Sequence, residues 1–139
     1  MKSVVVDANV LFSALIKKSL TRELLLEKNN CYVTPCYVLF ELSKHFSVLI
    51  EKSGLSEQEL LALLKILFSN IRILSRKELL AHGSEAFLIA QELDFYDVHY
   101  FAAALATKGV IWSNDKVLKK QDKIVVLNTQ ELLSLGILR

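Results

Sequence analysis

Val4, Val5 and Val6 form a continuous run of β-branched apolar residues that stops at Asp7. A short run of this kind, bounded by turn-type residues, reads as a strand buried on both faces. Val10, Leu11, Ala14 and Leu15 follow at helical spacing, so Asp7 falls where a strand feeds a helix. In open α/β sheets the ligand crevice lies beyond the carboxyl ends of the strands, which makes an acid at that point a site candidate. Asp is also a favoured helix N-cap, so this stretch alone leaves a purely structural reading open as well.

The rest of the chain repeats the pattern. Ser19 to Lys28 reads as a short helix with Leu20, Leu24 and Leu25 on one side, and Tyr32-Val33 as a second strand. Thr34-Pro35 reads as a helix start, a capping hydroxyl followed by proline at the first helical position. That helix is expected to run towards Glu51 and to end at Gly54. Ser56 with Glu59, and Ser75 with Glu78, are capping boxes. The first opens a helix reaching about Phe68, the second one reaching about Leu93 with Gly83 as a break. Between them Ile71, Ile73 and Leu74 form a short strand suited to a sheet edge. Asp94 to Asp97 opens a helix over Val98 to Thr107, whose Ala102-Ala103-Ala104 run permits close packing. Gly109 stops it, Val110 to Trp112 is a fourth strand, and Lys116 to Lys120 gives about one helical turn. Ile124 to Leu127 is a fifth strand, and Thr129 is the expected cap of a final helix, Gln130 to Leu135. Strands alternating with helices argue for a mostly parallel sheet with helices on both faces.

At 139 residues the chain has the length of a single domain, 1–139, with enough mass to bury a sizeable core. Its 53% hydrophobic content and positive mean hydropathy exclude a disordered chain. The longest stretch without a charge, Asn29 to Phe40, is far short of the ~18 residues that span a membrane. The acid at position 7 interrupts any signal-peptide pattern. Cys31 and Cys36 lack further metal-type partners at zinc spacing and read as reduced core thiols of a cytosolic protein. The net charge of +2 argues for no partner. Lys116, Lys119, Lys120 and Lys123, and Lys17, Lys18 and Arg22, are either solvated faces or a nucleic-acid footprint.

The acids carry the chemistry. Asp7 follows strand one, Asp115 follows strand four, Glu41 lies about two turns into the helix after strand two, and Asp97 opens the helix that feeds strand four. Each has an ordinary explanation taken singly: capping, the helix dipole or a surface position. Together they would be demanding, because two carboxylates ~4 Å apart repel by ~4 kcal/mol at an effective dielectric of 20. Such a set needs a cation or must take up protons. All-oxygen ligands suit Mg²⁺ or Mn²⁺, which bridge to phosphate, activate a water and neutralise charge on a leaving oxygen.

In order and context these features resemble the PIN-domain nucleases. The resemblance rests on Val4-Val5-Val6-Asp7-Ala8-Asn9, on Thr34-Pro35 leading to Glu41-Leu42, on Asp97 opening the alanine-rich helix, and on Trp112-Ser113-Asn114-Asp115. It covers essentially the whole chain. It implies an α/β fold, a three-layer α/β/α sandwich with a parallel five-stranded sheet in the order 3-2-1-4-5. It also implies that Asp7, Glu41, Asp97 and Asp115 are the catalytic acids and bind one or two Mg²⁺ or Mn²⁺ ions. Asn9 and Ser113 match the family's polar positions beside the first and fourth acids, and Asp94 is an extra acid ranked below Asp97. Many relatives carry a further acid where this chain has Val117, which bears on a second metal ion.

The expectation is a cytoplasmic, metal-dependent endoribonuclease hydrolysing RNA phosphodiester bonds, with Lys116 and Lys119 on the flanking phosphates. Small members resemble the toxin half of VapBC toxin–antitoxin pairs. Others act in RNA processing, and the motifs do not separate the two. The resemblance further implies a homodimer and, for a toxin, a small antitoxin partner whose basic side chain enters the pocket. Tyr37, Phe46 and Phe68 are interface candidates or core residues. A phosphotransfer receiver domain would want an acid ending strand three, where Leu74-Ser75-Arg76 stands. A haloacid-dehalogenase-type phosphatase would want an Asp at position 9, where Asn9 stands. A non-catalytic PIN-like binding module is the remaining rival, against which the four retained acids argue.

Overall fold

The computed structural model describes residues 1–139. Strand β1 (Ser3–Val6) is the middle of the sheet, and Val4, Val5 and Val6 are completely buried. It leads into α1 (Ala8–Ile16) and α2 (Leu20–Leu26), followed by β2 (Cys31–Pro35). Helices α3 (Tyr37–Lys44), α4 (Phe46–Ser53) and α5 (Glu57–Phe68) precede β3 (Ile71–Leu74). Helices α6 (Arg76–Leu80) and α7 (Gly83–Ala90) and a 3-10 turn (Phe95–Asp97) lead to α8 (Val98–Thr107) and β4 (Val110–Trp112). A second 3-10 turn (Lys116–Lys120), β5 (Val126–Leu127) and α9 (Thr129–Ser134) complete the chain.

All neighbouring strands are parallel, in the order β3-β2-β1-β4-β5. Val5 lies between Val33 on one side and Ile111 on the other. Helices flank the sheet: α8 packs on β1, β2 and β4 and carries α6 and α7, while α1 packs with α2, α3, α4 and α5. The expected α/β/α architecture and strand order are therefore observed, with β3 at an edge. No helix is long and apolar enough to cross a membrane.

Several local expectations need correction. Thr34 and Pro35 end β2 rather than start a helix, because the Thr34 hydroxyl donates to the Val6 carbonyl at 2.9 Å. With that hydroxyl engaged across the sheet, α3 begins two residues later on Cys36, without a side-chain cap. The long helix towards Glu51 is broken at His45, whose backbone leaves the helical region (φ −103°, ψ 10°) and whose ring meets Phe12 edge-on at 5.4 Å. The break sits between Leu42 and Leu49, both buried. The helix expected to reach Leu93 is likewise two helices, parted just before Gly83. Asn128, not Thr129, caps α9; the Thr129 hydroxyl instead accepts from the buried Trp112 indole at 3.0 Å. Cys31 and Cys36 are free but only partly buried. Arg22 is bound to the Ala14 and Leu15 carbonyls at 2.7 and 3.3 Å, which ties it to the end of α1.

Gly54 closes α4 in the left-handed region at φ 71°, where a side chain is strained. Gly109 is required for a different reason. A Cβ there would stand 2.5 Å from the Ser3 carbonyl oxygen, a backbone atom at the start of β1. Gly109→Ala must therefore push β4 away from β1, and we expect it to cost about 2 kcal/mol. A urea-unfolding midpoint unchanged from wild type would contradict this close approach.

Candidate active site

Asp7 does both things its position allows. It is the N-cap of α1, its Oδ1 accepting the Val10 amide at 2.9 Å, and it stands at the carboxyl edge of the central strand, only 5% exposed. Burial raises its pKa from 3.8 to about 6, against the lowering effect of the Ser113 hydroxyl and the Val10 amide, with Asp115 and Glu41 pushing it further up. A buried carboxyl surrounded by acids resists losing its proton.

Asp97 behaves similarly from the other side of the edge. It occupies the N-cap position of α8, yet its side chain makes no capping bond, so the carboxylate is free to face the other acids. Its pKa is raised to about 7, first by burial and then by Asp94, Asp115, Asp7 and Glu41. Glu41 is half-buried on α3, and its Oε1 accepts the Tyr100 hydroxyl at 2.6 Å. Asp115 is exposed and opens the second 3-10 turn, accepting the Val117 amide at 2.9 Å. Asp94 is exposed and caps the first 3-10 turn through the Tyr96 amide at 3.0 Å. The structure thus brings Asp7, Glu41, Asp97 and Asp115 into mutual electrostatic range, with Asp94 beside Asp97.

The neighbouring polar residues differ in their commitments. Ser113 is buried and holds two acids in place: its oxygen accepts the Asp115 amide at 3.1 Å, and its hydroxyl serves Asp7. Asn9 is exposed in the first turn of α1. Lys116 and Lys119 line a 630 Å³ hollow together with Ser113, Asn114 and Asp115. Lys119 is engaged by Glu131 there, so only Lys116 is unpaired. Val117, where many relatives carry an acid, is half exposed and adds no charge.

Tyr100 was not among the residues singled out from sequence. It is buried, its hydroxyl pKa is driven far up by burial and by Glu41, and it fixes the Glu41 carboxylate. Its sequence signal is faint: it lies three residues after Asp97, so both occupy one face of the helix.

No Lys, Arg or His forms a salt bridge with any of the four acids; the two salt bridges, Arg72–Glu78 and Lys119–Glu131, involve none of them. The donor set is all oxygen, of the type a hard divalent cation takes while keeping several waters. No three of these side chains are drawn together into a closed metal cage. By type and charge the residues fit such a cation, and the raised pKa values of Asp7 and Asp97, set first by burial and then by the neighbouring acids, agree with a site that lacks a counter-charge.

A wide groove of about 880 Å³ opens beside the acids, with Glu41 and Asp94 in its wall. Tyr37, Phe40, Tyr96 and His99 contribute rings to it, along with Lys44 and Arg76. Burial lowers the His99 pKa from its ordinary value. Tyr37 is therefore neither core nor isolated. Phe46 and Phe68 are partly buried against the core and line a second, smaller hollow with Leu39 and Leu61.

Comparison with known proteins agrees with this architecture. The PIN domain family matches residues 5–132. A crystal structure of PAE2754 from Pyrobaculum aerophilum superposes with a TM-score of 0.69 over 96% of this chain and 88% of that one, at 18% sequence identity, which is a likeness of fold. No curated protein matches the chain. The family match spans all four acids and reaches from within β1 to α9, and the chain belongs to the PIN domain family.

Proposed function

We propose that this chain, a member of a family whose domains are generally nucleases, is a metal-dependent endoribonuclease with Mg²⁺ or Mn²⁺ as the cation. The observation that carries the proposal is the uncompensated acid cluster at the carboxyl edge of the sheet, with Asp7 and Asp97 both held well above ordinary carboxylate pKa values.

Asp7 and Asp97 are the principal ligands in this reading, with Asp115 and Glu41 completing the pocket directly or through water. When bound, the cation supplies charge neutralisation at the scissile phosphate and lowers the pKa of water beside it. The chain's own residues orient the set. Val10 and Ser113 fix Asp7, Ser113 fixes the backbone of Asp115, and Tyr100 fixes Glu41. Lys116 attracts a flanking phosphate by screened attraction.

The test is incubation of labelled single-stranded RNA with the protein in Mg²⁺, in Mn²⁺ and in EDTA. Internal cleavage that requires the cation supports the reading, whereas the same cleavage in EDTA refutes metal dependence. Tyr100→Phe removes only the hydroxyl that positions Glu41. It is expected to lower cleavage about tenfold, as loss of a ligand-orienting group does, with partial recovery at higher Mg²⁺. Wild-type rates in this variant would show that Glu41 needs no anchor.

The finer proposal is the toxin role in a VapBC-type pair, which shares the acid set of the RNA-processing reading and differs from it in its effect on the cell. Its readout is growth: induced expression of the wild-type chain arrests the cells, and Asp7→Asn does not. Unarrested growth despite RNA cleavage in vitro would favour a role in RNA processing.

A further inference from the structure

The groove beside the acids carries an ordered set of rings that the cleavage chemistry does not use. Tyr37 is its hub. The His99 ring lies 4.0 Å from it, centre to centre, and within 7° of parallel; the Tyr96 ring lies 5.9 Å away and within 5°. Phe40 is 5.7 Å from Tyr37 at 29°. Tyr96 and Phe40 are 59% and 58% exposed, so two members of the set are more than half open to solvent. These residues adjoin the acids in the chain itself. Tyr37 is one helical turn before Glu41, and Tyr96 immediately precedes Asp97.

We propose that this ring cluster is a base-stacking platform that receives unpaired nucleotides of single-stranded RNA flanking the cleaved bond, with Lys44 and Arg76 on their phosphates. The proposal rests on the nuclease reading of the adjacent acids and names the substrate class of that site.

Two general properties of nucleic acids and one feature of the groove favour an unpaired strand over other occupants. Every base offers a π-face to an exposed aromatic ring, and stacking of this kind is how single strands are held with little sequence preference. In a duplex those faces are already stacked on neighbouring bases, and a double helix is read through its grooves and backbone instead. The groove is also mixed in charge: Lys44 and Arg76 are exposed in its wall and belong to no salt bridge. An apolar protein face laid over the rings would strand those cations without partners, whereas a sugar–phosphate backbone pairs with them. Glu41 and Asp94 at the inner wall would repel phosphates and confine the backbone to the lysine and arginine side.

The test uses Asp7→Asn protein, in which cleavage is silenced, and a labelled unstructured RNA of about twelve nucleotides, the span of a typical single-strand site. The same RNA annealed to its complement is the control. Combined Tyr96→Ala and Phe40→Ala is expected to weaken single-strand binding roughly tenfold or more. Duplex binding and the salt slope should hold steady, since no phosphate contact is removed. Tyr96→Trp should keep full affinity, because it keeps a π-face. Lys44→Ala should instead reduce the salt slope. Both rings are exposed, so thermal unfolding of the double variant should match that of the parent.

Unchanged single-strand affinity in the double variant, from a protein whose wild-type form cleaves RNA, overturns the platform and leaves the nuclease reading intact. Absence of both binding and cleavage in the unmutated chain overturns the two together. A wild-type dimer that becomes monomeric on ring removal, with RNA affinity unmoved, assigns the rings to a second copy of the chain and overturns the proposal.

Discussion

Asp7→Asn is expected to cut cation-supported RNA cleavage about a thousandfold, the equivalent of the several kcal/mol that metal-assisted charge stabilisation contributes to such reactions. The reason for choosing this position is structural. The amide keeps the Val10 cap, because Asn caps helices as well as Asp does, and it keeps nearly the same volume in a site that is only 5% exposed. What it removes is the negative charge at the centre of the acid cluster. RNA binding should survive, since the rings and lysines are untouched. Asp97→Asn should act alike, while Asp94→Asn should leave cleavage near the wild-type level, because Asp94 is an exposed capping acid. Steady-state rates on one RNA in saturating Mg²⁺ decide the matter. Retention of more than a tenth of the wild-type rate in Asp7→Asn would break the link between this carboxylate and the chemistry.

The same substitution should make the metal-free protein more stable. The Asp7 carboxyl has a pKa of about 6 in the fold against an ordinary 3.8, so the native state binds more protons than the unfolded one between those values. Stability then falls as pH rises through this window, and the full deficit is present above about pH 6. At 1.36 kcal/mol per unit, the deficit from Asp7 is about 3 kcal/mol at pH 8. Asp97 shifts in the same direction and adds to it, less its exposure to solvent. In EDTA, wild-type protein should therefore gain stability as the pH is lowered from about 8 towards 4. Asp7→Asn should exceed it by about 3 kcal/mol at pH 8 and lose that advantage near pH 4. Mg²⁺ should raise the urea midpoint of the wild type, since a ligand of the native state stabilises it, and should do little for the variant. A variant less stable than wild type at pH 8 would mean that the carboxylate is satisfied by its neighbours and bears no unbalanced charge.

Most of the fold could be read from the chain wherever the deciding chemistry is local. The two serine–glutamate capping boxes contain their own partners and the Val4-Val5-Val6 run carries its own β-branched apolar signal, and the structure shows each as expected. The errors arise where a side chain is claimed by a distant group. Thr34 is a sound capping residue whose hydroxyl is taken by a carbonyl 28 positions away, and Thr129 is taken by an indole 17 positions away. Among site residues, the acids stood out because they follow strands or open helices. Tyr100 did not, since its role depends on α8 lying against α3, 59 positions from Tyr100 to Glu41. The ring cluster was legible only in part for the same reason: Tyr37 stands out as an interface candidate or core residue, but its partnership with Tyr96 exists only once their planes are parallel.

The position of β4 beside β1 has a consequence for the acid set. Asp7 precedes Asp115 in the chain by more than a hundred residues, and the two meet only after residues 110–112 have paired with residues 4–6. Before that pairing β1 is held by β2 alone, and three of the four acids are present without the fourth. The acid set is therefore a product of long-range strand pairing, so loosening β4 from β1 dismantles it even where every acid is still in the chain.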